Sequence, residues 1–125
     1  MKKLLLGLVA LVSMSNMSAY KINVMNTTDG SILVTVRYGE THIVDKNGHD
    51  LCDKDTMAID SGASKSIESS ACCAKTITVT AINGSASDKS INYAAPQTGF
   101  GLSCRELNFK VSNPSRGQLA AETVK

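Results

Sequence analysis

The chain has 125 residues, 42% of them apolar and only 4% aromatic, with 13 Lys and Arg against 11 Asp and Glu. Lys2 and Lys3 fall in an expected leader, so the chain that remains carries 11 basic and 11 acidic residues and no basic cluster. That balance argues against a nucleic-acid partner, which needs concentrated Lys and Arg, and the length suits one domain with one modest core.

The first element is the leader, residues 1–19. "MKK" is a positive n-region, "LLLGLVALV" an apolar h-region and "SMSNMSA" a small, polar stretch ending at Ala19. The apolar run is shorter than the roughly 20 residues a bilayer span needs, and no later segment approaches that length, so no transmembrane span is expected after cleavage. No cysteine follows the h-region to take a lipid, and the short basic start has a bacterial look. The expectation is a single domain over 20–125, secreted or periplasmic.

From there the chain reads as short strands. "KINVMN" alternates Ile22 and Val24, and "SILVTVRYG" places Ile32, Val34 and Val36 on one face with Thr35 and Arg37 on the other. "TTDG" between them has the residues of a hairpin turn. "THIVDKNGHDLC" offers a second hairpin at Asn47-Gly48, flanked by Ile43, Val44 and Leu51. A third breaks at Asp60-Ser61-Gly62, between Met57-Ile59 and Ile67. "AKTITVTA" is the clearest strand, with Ile77, Val79 and Ala81 opposite Thr76, Thr78 and Thr80; it turns at Asn83-Gly84 and returns through Ile91 and Tyr93. "RELNFKVSN" alternates Leu107, Phe109 and Val111 and stops before Pro114, and the tail 115–125 is an edge strand or disordered. With seven or more such strands and no amphipathic helix, the expected fold is all-β: a small antiparallel β-sandwich, Greek-key or immunoglobulin-like in general pattern, with a barrel as the alternative. The lack of Trp removes the core marker of true immunoglobulin domains.

Four cysteines in a small exported chain predict two disulfides. A bond between the neighbours Cys72 and Cys73 would strain their peptide and close almost no loop. Successive side chains of an extended segment point to opposite faces, so Cys72 and Cys73 reach different partners, one Cys52 and the other Cys104. Either assignment satisfies this reasoning.

Other chemistry fits poorly. His42, His49, Cys52, Cys72, Cys73 and Cys104 would suffice for zinc, but only His49 and Cys52 have a ligand spacing typical of zinc frameworks. No C-x-x-C supports thiol redox work. Asp45, Asn47, Asp50 and Asp53, with Asp55 beyond them, make a weak calcium candidate in "DKNGHDLCDKD"; Gly48 and the missing Glu break the EF-hand order, and a solvated turn is the simpler reading. No cofactor is expected. No G-x-S-x-G or H-E-x-x-H suggests hydrolysis, although His42, His49 and Asp50 leave a small hydrolase as an alternative. Of the aromatics, Tyr20, Tyr38, Tyr93, Phe100 and Phe109, too few stay exposed to stack sugars. Asn26-Thr27-Thr28 and Asn83-Gly84-Ser85 match the glycosylation pattern but read first as turns.

The long uncharged stretch "YAAPQTGFGLSC", 93–104, is the last feature. It is either a crossover whose Phe100 covers the core or a tethered loop presenting Gln97, Phe100 and Leu102 to a partner. The functional expectation is a noncatalytic binding module for another protein or a cell-surface component, with inhibition of an extracellular or periplasmic enzyme through this loop as the alternative.

Overall fold

A computed structural model describes residues 20–39, 52–69, 72–99 and 101–124. Eight strands run in chain order: β1 (Lys21–Asn26), β2 (Ile32–Tyr38), β3 (Lys54–Ile59), β4 (Ser64–Glu68), β5 (Ala74–Ala81), β6 (Ser90–Tyr93), β7 (Leu107–Ser112) and β8 (Ala120–Thr123). They form two four-stranded sheets, ordered β4-β1-β7-β8 and β3-β2-β5-β6, packed face to face as the expected sandwich rather than a barrel. No helix occurs among the described residues.

Alternation places the core where the pattern predicts. Ile22, Val24, Ile32, Val34, Val36, Ile77, Val79, Leu107, Phe109 and Val111 are buried between the sheets. Thr76 is exposed on the other face of β5, with Thr78 and Thr80 half-covered. Tyr93 of β6 stacks on Phe109 of β7 at 4.2 Å between ring centroids and 14° between planes, joining the two sheets. Its hydroxyl bonds the Thr123 hydroxyl of β8. The tail is therefore an edge strand, with Ala121 opposite Val111 and Thr123 opposite Phe109.

Two expected hairpins prove to be corners. β1 and β2 lie in different sheets, as do β3 and β4, so "TTDG" and Asp60-Ser61-Gly62 carry the chain across the sandwich. The reason lies in Asn26, which continues the buried parity of Ile22 and Val24 and is fully enclosed. Its Nδ2 donates to the carbonyls of Gly30 and Ile59, each at 2.9 Å. Its Oδ1 accepts from the Thr28 amide at 2.9 Å and hydroxyl at 2.6 Å. Its backbone is bonded to Ala63 and Gly62 of the second corner. One side chain thus satisfies the polar groups of a turn that enters the core, where an unpaired group would be costly. Gly30 serves close approach: a Cβ there would lie 2.2 Å from the Asn83 carbonyl oxygen.

The β5–β6 hairpin forms as expected, with Thr78 opposite Asn92 and Val79 opposite Ile91. Gly84 supplies a positive φ of 85°, and the turn closes through Asp88 at 69°. The Ser85 hydroxyl and amide hold the Asp29 carboxyl below its usual range, tying this turn to the first corner. The second predicted hairpin turn, with Ile43, Val44, Asn47, Gly48 and Leu51, lies outside the described residues; the strands flanking it, β2 and β3, do pair antiparallel.

One pairing departs from the antiparallel expectation. β1 and β7 run parallel, Val24 beside Phe109 and Asn26 beside Val111. A two-residue alternation looks the same in either chain direction, so burial pattern alone does not orient a strand.

Candidate functional site

The cysteines gather at one end of the β3-β2-β5-β6 sheet. Cys52 bonds Cys72 and Cys73 bonds Cys104, which selects one of the two open pairings. Cys72 shares the inward parity of Ala74 and reaches the buried Cys52, both within the core. Cys73 is half-buried and reaches out to the half-buried Cys104. No cysteine is free in this structure. The Gly39 amide donates to the Cys73 carbonyl at 3.0 Å, so the end of β2, the start of β5 and the segment before β7 are locked together.

Between β6 and β7 the described residues 94–99 and 101–106 form a flap stapled by the Cys73–Cys104 bridge. Ala74 and Ser103 exchange backbone hydrogen bonds at 2.9 and 2.8 Å, the Thr98 amide donates to the Leu102 carbonyl at 2.8 Å, and the Leu102 amide donates to the Gly99 carbonyl at 3.0 Å. The Ser103 hydroxyl is buried and donates to the Pro96 carbonyl at 2.6 Å. The Cys104 amide donates to the Thr98 hydroxyl at 3.1 Å. Of the residues expected to meet a partner, Gln97 is exposed and lines a hollow of about 140 Å³ with Ile77, Tyr93 and Ser103. Leu102 is half-buried against Gly39, where a Cβ would come within 2.2 Å of its side chain. Phe100 lies outside the described residues.

Of the calcium candidate, Asp53 is exposed, while Asp45, Asn47 and Asp50 lie outside the described residues, as do His42 and His49. Among the described residues no group of three or more His, Cys, Asp or Glu is placed to hold a metal ion.

Sequence reasoning missed one polar pair at this end. The Tyr38 hydroxyl donates to Asp55 Oδ2 at 2.5 Å. Burial, and then the bond and charge of Asp55, push the Tyr38 phenol well above its ordinary value of 10.0. Both residues continue the inward parity of their strands, Asp55 opposite Val36, which was the available signal. Because the folded chain holds this proton after an unfolded tyrosine has released it, stability is full below pH 10 and falls as pH rises beyond it. Tyr38→Phe is expected to cost about 1 kcal/mol at neutral pH and to flatten that alkaline decline, read from urea midpoints between about pH 8 and 11.

A second concavity, about 340 Å³, lies on the outer face of the other sheet and is lined by Asn23, Met25, Ser66, Asn108 and Val124. Its two Asn side chains are bonded to each other. Asn23 Nδ2 donates to Asn108 Oδ1 at 2.8 Å, and the Ser66 hydroxyl donates to Asn23 Oδ1.

No protein family matches the chain, and no curated protein does. Among solved structures, the chain is similar to the NMR structure of a protein from Eubacterium rectale, with a TM-score of 0.52 over 88% of this chain and 92% of that one. The two sequences are 13% identical, so the likeness is one of fold.

Proposed function

We propose that this chain is a noncatalytic binding module, bacterial and exported to the periplasm or beyond after loss of residues 1–19, that recognises another protein or a cell-surface component through its stapled flap. The observation that supports this reading is the pair of bridges leaving adjacent residues for Cys52 on one side and Cys104 on the other. Cys73–Cys104 ties the flap to the start of β5 while Cys52–Cys72 anchors that start in the core, so part of the ordering cost of binding is met during folding. The same bridges suit the second reading, an inhibitor whose flap enters an enzyme cleft.

The test is binding of the labelled domain to envelope fractions of the producing cell. Joint replacement of Gln97 and Phe100 by alanine is expected to weaken binding at least about tenfold, the size of one interface anchor, without changing thermal unfolding. Ser87→Ala, in the exposed β5–β6 turn, is expected to leave it intact. Equal binding by all three proteins would sink the flap, and turnover that depends on His49 would replace the module with an enzyme. Loss of activity of a bound enzyme would favour the inhibitor reading.

A further inference from the structure

The outer faces of the two sheets differ in charge. On the β4-β1-β7-β8 sheet the charges are matched: Lys21 sits opposite Glu68, and Lys110 pairs with Glu122 at 3.3 Å. The outer face of the other sheet carries Lys54, Thr56 and Ala58 on β3, Leu33, Thr35 and Arg37 on β2, Thr76, Thr78 and Thr80 on β5, and Ser90 and Asn92 on β6, with Lys75 exposed at the register irregularity that begins β5. None of these positions carries Asp or Glu. Arg37 and Lys54 are direct cross-strand partners, an arrangement of like charges that destabilises an antiparallel pair. Neither side chain makes a hydrogen bond or ion pair with the described residues. Asp55, next to Lys54 in sequence, points inward to Tyr38. Asp53 is exposed just before the strand.

The hydroxyls beside this pair are also unspent. Thr78 bonds Asn92 and Thr80 bonds Ser90, but the side chains of Thr35, Thr56 and Thr76 have no hydrogen-bond partner among the described residues. Thr56 stands directly across from Thr35, and Thr76 from Arg37. Strand spacing of about 4.8 Å and a same-face repeat of about 6.7 Å make these groups a rigid grid of donors and acceptors with two cations at one end. A local rule is broken here with no gain inside the fold, which points outward to a ligand.

We infer that this face binds an acidic polysaccharide, with Arg37 and Lys54 on a sugar carboxylate and Thr35, Thr56 and Thr76 on neighbouring sugar hydroxyls. The guanidinium fork matches a carboxylate, and hydroxyls that both donate and accept suit sugar hydroxyls. A protein partner would want an apolar or aromatic anchor, and Leu33 is half-covered here. Single-stranded nucleic acid would want stacking rings, of which this face has none. The surface is distinct from the flap, and its ligand is a different class from a protein.

The probe is a defined oligogalacturonate, with its methyl-esterified form as the neutral control, titrated into the disulfide-bonded domain and followed by amide NMR shifts. The expected result is salt-sensitive binding with shifts on β2, β3 and β5, and at least tenfold weaker binding of the ester. Lys54→Glu places an opposite charge beside Arg37, so this variant is expected to melt no lower than the native chain yet bind at least tenfold more weakly. Thr35→Val with Thr56→Val is expected to weaken binding while leaving its salt dependence unchanged. Undiminished binding by Lys54→Glu, equal binding of the ester, or shifts confined to the flap or the opposite sheet would each overturn the assignment. Flap variants are expected to bind the oligosaccharide normally, so failure here and failure of the flap reading remain separable.

Discussion

Asn26→Ala is expected to destabilise the domain by about 3–5 kcal/mol, a large part of the 5–15 kcal/mol typical of a folded domain. The substitution deletes four hydrogen bonds and leaves the Thr28 amide and the Ile59 carbonyl without their side-chain partner at a site closed to water. Each orphaned group costs about 1–3 kcal/mol, and the small void adds to that. Asn26→Asp discriminates hydrogen bonding from packing, because it keeps the shape but aims a carboxylate at two carbonyl oxygens. Its buried carboxyl would bind a proton more tightly folded than unfolded, so the variant is expected to gain stability as pH falls. Urea unfolding of the three proteins between about pH 4 and 7 reads both effects. A loss below about 1 kcal/mol for Asn26→Ala would mean that water replaces the side chain and that the corner is not organised by it.

Removing the Cys52–Cys72 bridge by paired alanine substitution is expected to cost more than removing Cys73–Cys104. Loop entropy alone favours the opposite order: the bridges span 20 and 31 residues, worth about 3.3 and about 3.7 kcal/mol, a difference of only about 0.4 kcal/mol. Burial outweighs that difference. Cys52 and Cys72 are both 1% exposed, so their loss also opens the core, at an added cost of about 1–2 kcal/mol. For a domain of about 100 residues these losses translate to melting temperatures lower by about 15–30 °C. The outer bridge has a different signature: without it the flap is held by its hydrogen bonds to Ala74 and the packing of Leu102 on Gly39, so proteolysis near Gly99 and Gly101 is expected to rise well below the melting temperature. Equal melting of the two double variants would show that chain entropy, not core packing, sets the value of these bridges.

Much of this was legible in the amino-acid order because it is local. Period-two alternation marked the inward residues of β1, β2, β5 and β7, and adjacent cysteines in an extended segment had to part company. At the candidate site the four cysteines and the long 93–104 segment were visible for the same reason, whereas the Tyr38–Asp55 pair was not, since an Asp at an inward position reveals nothing until its partner strand is known. The tertiary structure decided which sheet each strand joins, the parallel course of β1 beside β7, and the choice of Cys52 for Cys72. Asp, Ser, Thr and Gly serve a corner between sheets as well as a hairpin within one, so turn chemistry could not separate "TTDG" from a hairpin; the buried carbonyls and amides that Asn26 satisfies could. The threonines of β5 were plain in sequence, but their alignment with Thr35, Thr56, Arg37 and Lys54 is a product of register between strands distant in the chain. Register is chosen by the summed burial of the inner face, and the outer face inherits whatever rows that choice creates.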